Sequence, residues 1–136
     1  MSLFNVFKVA GSGMNAQTVR LNTTASNIAN ADTVSSSVNE TYRARHPVFA
    51  TLLSEEMGDA AHGVQVVNIV KDQAPLRQEY RPGHPQADAN GYVYLPNVSI
   101  AEEMANMISA SRSYETNAEV VSTAKQMLMR TLQLGQ

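Results

Sequence analysis

Cysteine is absent from all 136 residues, which excludes disulfides, thiolate catalysis and the usual structural zinc sites. Absence of cysteine says little about compartment, though it is compatible with export in the unfolded state. Charge of one sign is lacking too: 10 Lys and Arg stand against 12 Asp and Glu, for a net −2. With no basic run beyond the Arg43 and Arg45 pair, nothing points to nucleic acid or an anionic membrane as partner. No apolar run approaches the roughly 18 residues of a membrane span. The opening MSLFNVFKVAGSG has no basic start, and Asn5 and Lys8 cut its apolar run, so it reads as mature sequence rather than a cleaved signal. At 43% hydrophobic, the chain has material for one modest core.

Reactive constellations are equally scarce. His46, His62 and His84 lie in separate segments flanked by proline or glycine, and none shares a helix-spaced cluster with Asp or Glu. They read as surface loop residues rather than metal ligands. Glu55, Glu56 and Asp59 read as a solvated loop. Gly11-Ser-Gly13 lacks both the preceding strand and the Gly-Lys-Ser/Thr ending of a phosphate loop, and Ser12 has no nucleophile motif around it. Met104, Met107, Met127 and Met129 sit at helical spacing, as core or interface filler does. The sequence therefore predicts no catalytic, cofactor or metal site and no enzyme. A small hydrolase built on His62 has no positive feature behind it.

What is present is helical periodicity at both ends. Met104, Met107, Ser111, Tyr114, Ala118, Val121, Lys125, Leu128 and Leu132 recur at spacings of three and four, the seam of a helix meant to lie against another. Ser99 with Glu102 reads as a capping box, Glu102 and Glu103 suit the positive end of the dipole, Lys125 and Arg130 the negative end, and Gly135 the stop. From Ser99 to Leu134 this predicts a rod of about 50 Å. Near the N-terminus, Phe7, Gly11, Met14, Thr18, Leu21, Ala25 and Ile28 repeat likewise, predicting a second helix from about Leu3 to Ala31. Gly11 and Gly13 oppose it by about 1 kcal/mol each: either they break the helix into two pieces, or, the favoured reading, they let another backbone come close. Two terminal seams imply an antiparallel pair. The predicted fold is mainly α, an antiparallel coiled coil with a small β-rich insert, α+β overall. Residues 1–36 and 98–136 form a discontinuous helical assembly domain, and residues 37–97 the insert.

Within the insert the period changes. Asn30 to Asn39 reads as a loop and Ser54 to His62 as a polar stretch. Gly63 to Val70 is the clearest strand, preceded by Tyr42 to Leu53 with Pro47 interrupting. Leu76 to Arg81 is expected to pair back on it, and Asp88-Ala-Asn-Gly91 to turn into a short strand Tyr92 to Leu95. Two to four strands of this size are marginal alone.

Charge is sparse where the helices lie. Between Leu3 and Ala31 only Lys8 and Arg20 are charged, and between Met104 and Ala124 only Arg112, Glu115 and Glu119. A helix with one face in water normally carries a charged outer face. Small and amide side chains instead suit packing against several neighbours, where long charged ones would be desolvated. The alternative is a coiled-coil adaptor for a single partner, distinguished by stoichiometry.

The segment Leu21 to Thr33, with Ala-Ser-Asn-Ile-Ala-Asn at Ala25 to Asn30, resembles the N-terminal signature of bacterial flagellar rod and hook proteins. Ala89 to Val93, Pro96 to Val98, Glu103 to Asn117 and the ending Lys125 to Gln136 extend the resemblance over essentially the whole chain, with the middle and the short ending similar to proximal rod members. This resemblance implies a non-enzymatic subunit without cofactors, which polymerises in a ring or helical layer with other copies of itself. It implies passage through the type III export apparatus without a cleaved signal, and assembly in the periplasmic space. The implied neighbours are other proximal and distal rod proteins and the membrane (MS) ring with its junction protein. Asn27, Asn30 and Thr33 match the N-terminal motif, and Ser111, Arg112, Tyr114 and Asn117 the C-terminal one. Together with Phe7, Gly11, Met14, Leu21, Ala25 and Ile28 on one helix, and Met104, Met107, Ala118, Val121, Leu128 and Leu132 on the other, they form the expected assembly interface. Val34 to Thr41 depart from the commoner rod pattern, which runs sooner into Gly-Tyr.

Overall fold

A computed structural model describes residues 3–52 and 62–135. Glu55, Glu56 and Asp59 lie outside the described residues. Two long helices frame the chain, α1 at Leu3–Asn30 and α2 at Ile100–Leu134. Between them run β1 (Arg45–Leu52), β2 (Gly63–Lys71), β3 (Arg77–Tyr80) and β4 (Tyr92–Leu95). The architecture is mixed α and β, with the strands in two small antiparallel sheets.

α1 continues unbroken through both glycines. A Cβ on Gly13 would sit 2.9 Å from Asn117 Nδ2, so this glycine admits a side chain of α2, whereas one on Gly11 would meet nothing within 4 Å. At the other helix Ser99 is the N-cap but makes no side-chain capping bond, so the predicted capping box is not formed. Its carbonyl accepts from the Glu103 N–H at 2.9 Å, the ordinary first helical bond. The last turn holds no basic residue, and Gly135 ends the helix at φ −90°, outside the left-handed region.

The predicted seams are displaced by about one residue from the faces that are buried. On α1 the buried positions are Ala10, Ala16, Thr23, Thr24 and Asn27, and on α2 they are Glu103, Ala110 and Ala124. Thr18 and Ala25 of the predicted N-terminal seam are exposed, as are Met104, Tyr114, Lys125 and Leu132 of the C-terminal one. The reason is size: alanine, threonine and glycine let two backbones approach closely, while the bulkier apolar side chains flank the contact. Arg20 Nη2 donates to Asn106 Oδ1 at 3.0 Å across it.

The strands also pair differently from expectation. β1 pairs with β2, with a register shift between Val48 and Phe49. Pro47 does not interrupt β1 but lies opposite Ile69, which is possible because a two-stranded sheet leaves each strand one free edge. β3 pairs with β4 rather than returning to β2. The predicted turn at Asp88 forms: Asp88 Oδ1 accepts from the N–H groups of Asn90 and Tyr92, and Gly91 adopts φ +84°, a conformation that favours glycine. Ser35, in the loop after α1, pairs with Tyr94 on the open side of β4. Val93 is fully buried, and Ala31, Ala44 and Val98 form a core cluster with Tyr42 against it. That cluster sits where α1 ends, the insert begins and α2 starts.

Candidate assembly interface

The insert is attached to the helices by side chains that bind main chain. Asn27 is wholly buried. Its Nδ2 donates to the Arg45 carbonyl at 2.9 Å, and its Oδ1 accepts from the Arg45 N–H at 2.9 Å and the Tyr42 hydroxyl at 2.9 Å. A helix side chain thus takes the place of a neighbouring strand for the first residue of β1. Asn97 does the same before α2: its Oδ1 accepts from the Ala44 N–H at 2.9 Å and its Nδ2 donates to the Ala74 carbonyl at 3.1 Å. Near the other end of the hairpin, Ser12 Oγ donates to the Val9 carbonyl and accepts from the Val64 N–H at 3.1 Å. A Cβ on Gly63 would lie 2.9 Å from that hydroxyl, so the start of β2 lies tight on α1.

The positions named from the sequence divide between contact and surface. Phe7, Gly11, Met14, Leu21, Ile28 and Asn30 are half-buried, while Ala25 and Thr33 are exposed. Asn30 Nδ2 donates back to the Ser26 carbonyl at 2.8 Å, and Thr33 Oγ1 donates to the Asn30 carbonyl at 2.7 Å, which secures the end of α1. On α2, Met107, Ser111, Asn117, Ala118, Val121 and Leu128 are half-buried, and Met104, Arg112, Tyr114 and Leu132 are exposed. Of these, Asn117 is brought close to α1, against Gly13, which was not among the named site positions. Sequence reasoning missed Ala10, Ala110 and Ala124 because its three-four template was set one residue C-terminal to them, on Gly11, Ser111 and Lys125, and it missed Ala16, which falls between Met14 and Thr18. It also missed Asn97, although Pro96-Asn97 before a helix was a usable signal.

Large apolar side chains stand on the outer surfaces of the helices. Phe4 is 68% exposed, Met104 and Ile108 54% each, Met127 55% and Leu132 61%, whereas Ala10, Ala110 and Ala124 are at 5% or less. Val6, Val120, Ala124 and Met127 line an open apolar groove of about 460 Å³ between the start of α1 and the far half of α2. His46 and His62 are exposed, and the His84 ring Nδ1 accepts from the Gln86 N–H at 3.1 Å.

Two family models match at the two ends. Residues 7–34, essentially α1, match the flagella basal body rod protein family, and residues 89–134, β4 with α2, match the C-terminal part of the flagellar basal body rod FlgEFG proteins. The chain is also 49% identical to the flagellar basal-body rod protein FlgC of Salmonella typhimurium over 136 residues, covering all of both chains. The chain belongs to the FlgC family of flagellar basal-body rod proteins. Its FlgC relatives include one from Yersinia enterocolitica, 49% identical over the full length of both chains. A more distant one from Borreliella burgdorferi is 36% identical, with all of this chain and 99% of the relative covered. As a member of the FlgC family it is a structural subunit of the flagellar basal-body rod, assembled with other rod components, and not an enzyme. Among the described residues no helix is long and apolar enough to cross a membrane.

Proposed function

We propose that this rod subunit polymerises through its terminal helices, paired as an antiparallel coiled coil, and carries torque in the proximal rod. Residues 1–36 and 98–136 are its assembly domain and residues 37–97 an outward insert. The antiparallel reading is supported by the order of facing residues: Arg20 bonds Asn106, Gly13 lies against Asn117, and Val6 lines a groove with Ala124. The observation that carries the proposal is the inverted size distribution. Small side chains fill the contact within the subunit, and large apolar ones are left outside it, where neighbouring subunits are available to cover them. Asn27, expected in the interface from the sequence, is wholly buried and braces this face from within the subunit. On this reading the interface comprises Phe7, Gly11, Met14, Leu21, Ala25, Ile28, Asn30 and Thr33 of α1 and the loop after it. From α2 it takes Met104, Met107, Ser111, Arg112, Tyr114, Asn117, Ala118, Val121, Leu128 and Leu132. The partners are other copies, the proximal and distal rod proteins, and the MS ring with its junction protein. The subunit reaches the periplasmic space through the type III export apparatus without a cleaved signal.

Deleting the chain and imaging purified basal bodies tests the assignment: loss of rod and hook with the membrane ring retained is the expected result. Complete basal bodies and normal swimming would overturn it. Leu21→Asp and Ala118→Glu each place an unpaired charge in the interface, at a cost of several kcal/mol. Both variants are expected to be non-motile in a swimming assay.

A further inference from the structure

The loop after α1 and the base of β1 and β2 enclose a polar cleft of about 540 Å³, lined by Arg43, Arg45, Lys71 and Glu40 among hydroxyl and amide groups. Three cations and one carboxylate leave it positive in a chain whose net charge is −2. Two of the cations are braced without being neutralised. Arg43 Nη1 donates to the Asp72 and Ala74 carbonyls at 3.2 and 3.1 Å, and the Arg45 guanidinium lies 5.3 Å from the centre of the Tyr42 ring. Neither arginine nor Lys71 forms an ion pair with a carboxylate among the described residues.

The complementary charge lies elsewhere on the same chain. Glu115 and Glu119 are exposed on α2, and a spacing of four puts them on one face of the helix. Among the described residues Glu115 accepts only a long bond from Ser111 Oγ, at 3.5 Å, and neither glutamate pairs with a cation. The cleft lies beside Asn30 at the end of α1, whereas Glu119 lines the groove beside Val6 near its start. Cleft and glutamates are therefore at opposite ends of α1, out of reach of each other within one subunit. A head-to-tail contact uses both surfaces once per copy and repeats along an assembly.

We propose that the basic cleft of Arg43, Arg45 and Lys71 receives the Glu115 and Glu119 face of α2 from a second copy of this chain. The proposal rests on the rod reading above and specifies which surfaces meet. Such a pairing fixes register and excludes wrong neighbours by like-charge repulsion.

Because the native chain has no cysteine, thiol cross-linking reports the contact directly. Cells expressing the full-length chain with Arg45→Cys and Glu119→Cys as sole copy would be treated with a short bismaleimide, and basal bodies purified. A ladder of cross-linked dimers and higher species is expected from the double variant and not from either single one. Incorporation of the double variant into basal bodies without a ladder would overturn the contact and leave the rod reading standing. Absence of the wild-type chain from basal bodies would overturn the rod reading and the contact with it. In a second measurement, Arg45→Glu with Lys71→Glu should lower incorporation by at least about tenfold, and adding Glu115→Lys with Glu119→Lys should restore it. Both target cations are exposed, so these changes leave the core intact. Unchanged incorporation in the first pair, or no restoration by the second, would overturn the proposal.

Discussion

Asn27 carries more of the structure than its size indicates. Replacing it by alanine removes three hydrogen bonds and leaves the Arg45 N–H and carbonyl without their partner at a part-buried position. Each such group costs about 1–3 kcal/mol, so Asn27→Ala should destabilise the chain by about 3 kcal/mol, read as a lower urea midpoint at unchanged slope. The two helical glycines allow a paired test. With nothing within 4 Å of its Cβ position, Gly11→Ala should stabilise α1 by about 1 kcal/mol. Gly13→Ala meets the Asn117 amide at 2.9 Å and should gain less. The difference should vanish when Asn117→Ala is added, a coupling that a double-mutant cycle of thermal unfolding measures.

At the scale of the helices, stability and assembly are assigned to different faces. Ala110, at 0% exposure, has no room for a larger side chain, and Ala110→Leu should cost about 1–3 kcal/mol by overpacking. Met129, 52% exposed, is the converse: Met129→Ala should leave the unfolding midpoint of the free chain within about 0.5 kcal/mol while lowering its incorporation into basal bodies. The helices themselves were legible from the three-four spacing and from charges too sparse for a solvated face. The contact face was not, because hydrophobic periodicity marks where bulk lies. In this molecule bulk lies outside the contact and close approach depends on Ala10, Ala110, Ala124 and Gly13. Strand existence was legible from Val and Ile density. Strand partners were not: whether Arg77–Tyr80 returns to β2 or takes β4 changes no local signal, and Ser35 on β4 and Asn27 at the head of β1 are long-range contacts that support the observed pairing.

For the molecule as a whole, the insert depends on the helices. Its two sheets have two strands each, and Val48, Leu52, Val67 and Val70 are 40% or more exposed. A lone two-stranded hairpin is at best marginal in water. Residues 37–97 expressed alone should therefore show collapsed amide dispersion in a proton–nitrogen spectrum. The full chain should show dispersed strand resonances. Side-chain amides bound to main chain recur where the insert joins the helices: Asn27 to Arg45, and Asn97, the residue that leads toward α2, to Ala44 and Ala74. Carbonyls are common to all residues and N–H groups to all but proline. The bonds to Ala74 and Ala44 therefore specify the path of the backbone and leave side-chain identity to other constraints. Over evolutionary time this permits drift: in distant relatives, sequence around Gln73 and Ala74 can turn over while the same two asparagines hold the joint, with proline barred from positions 44 and 45.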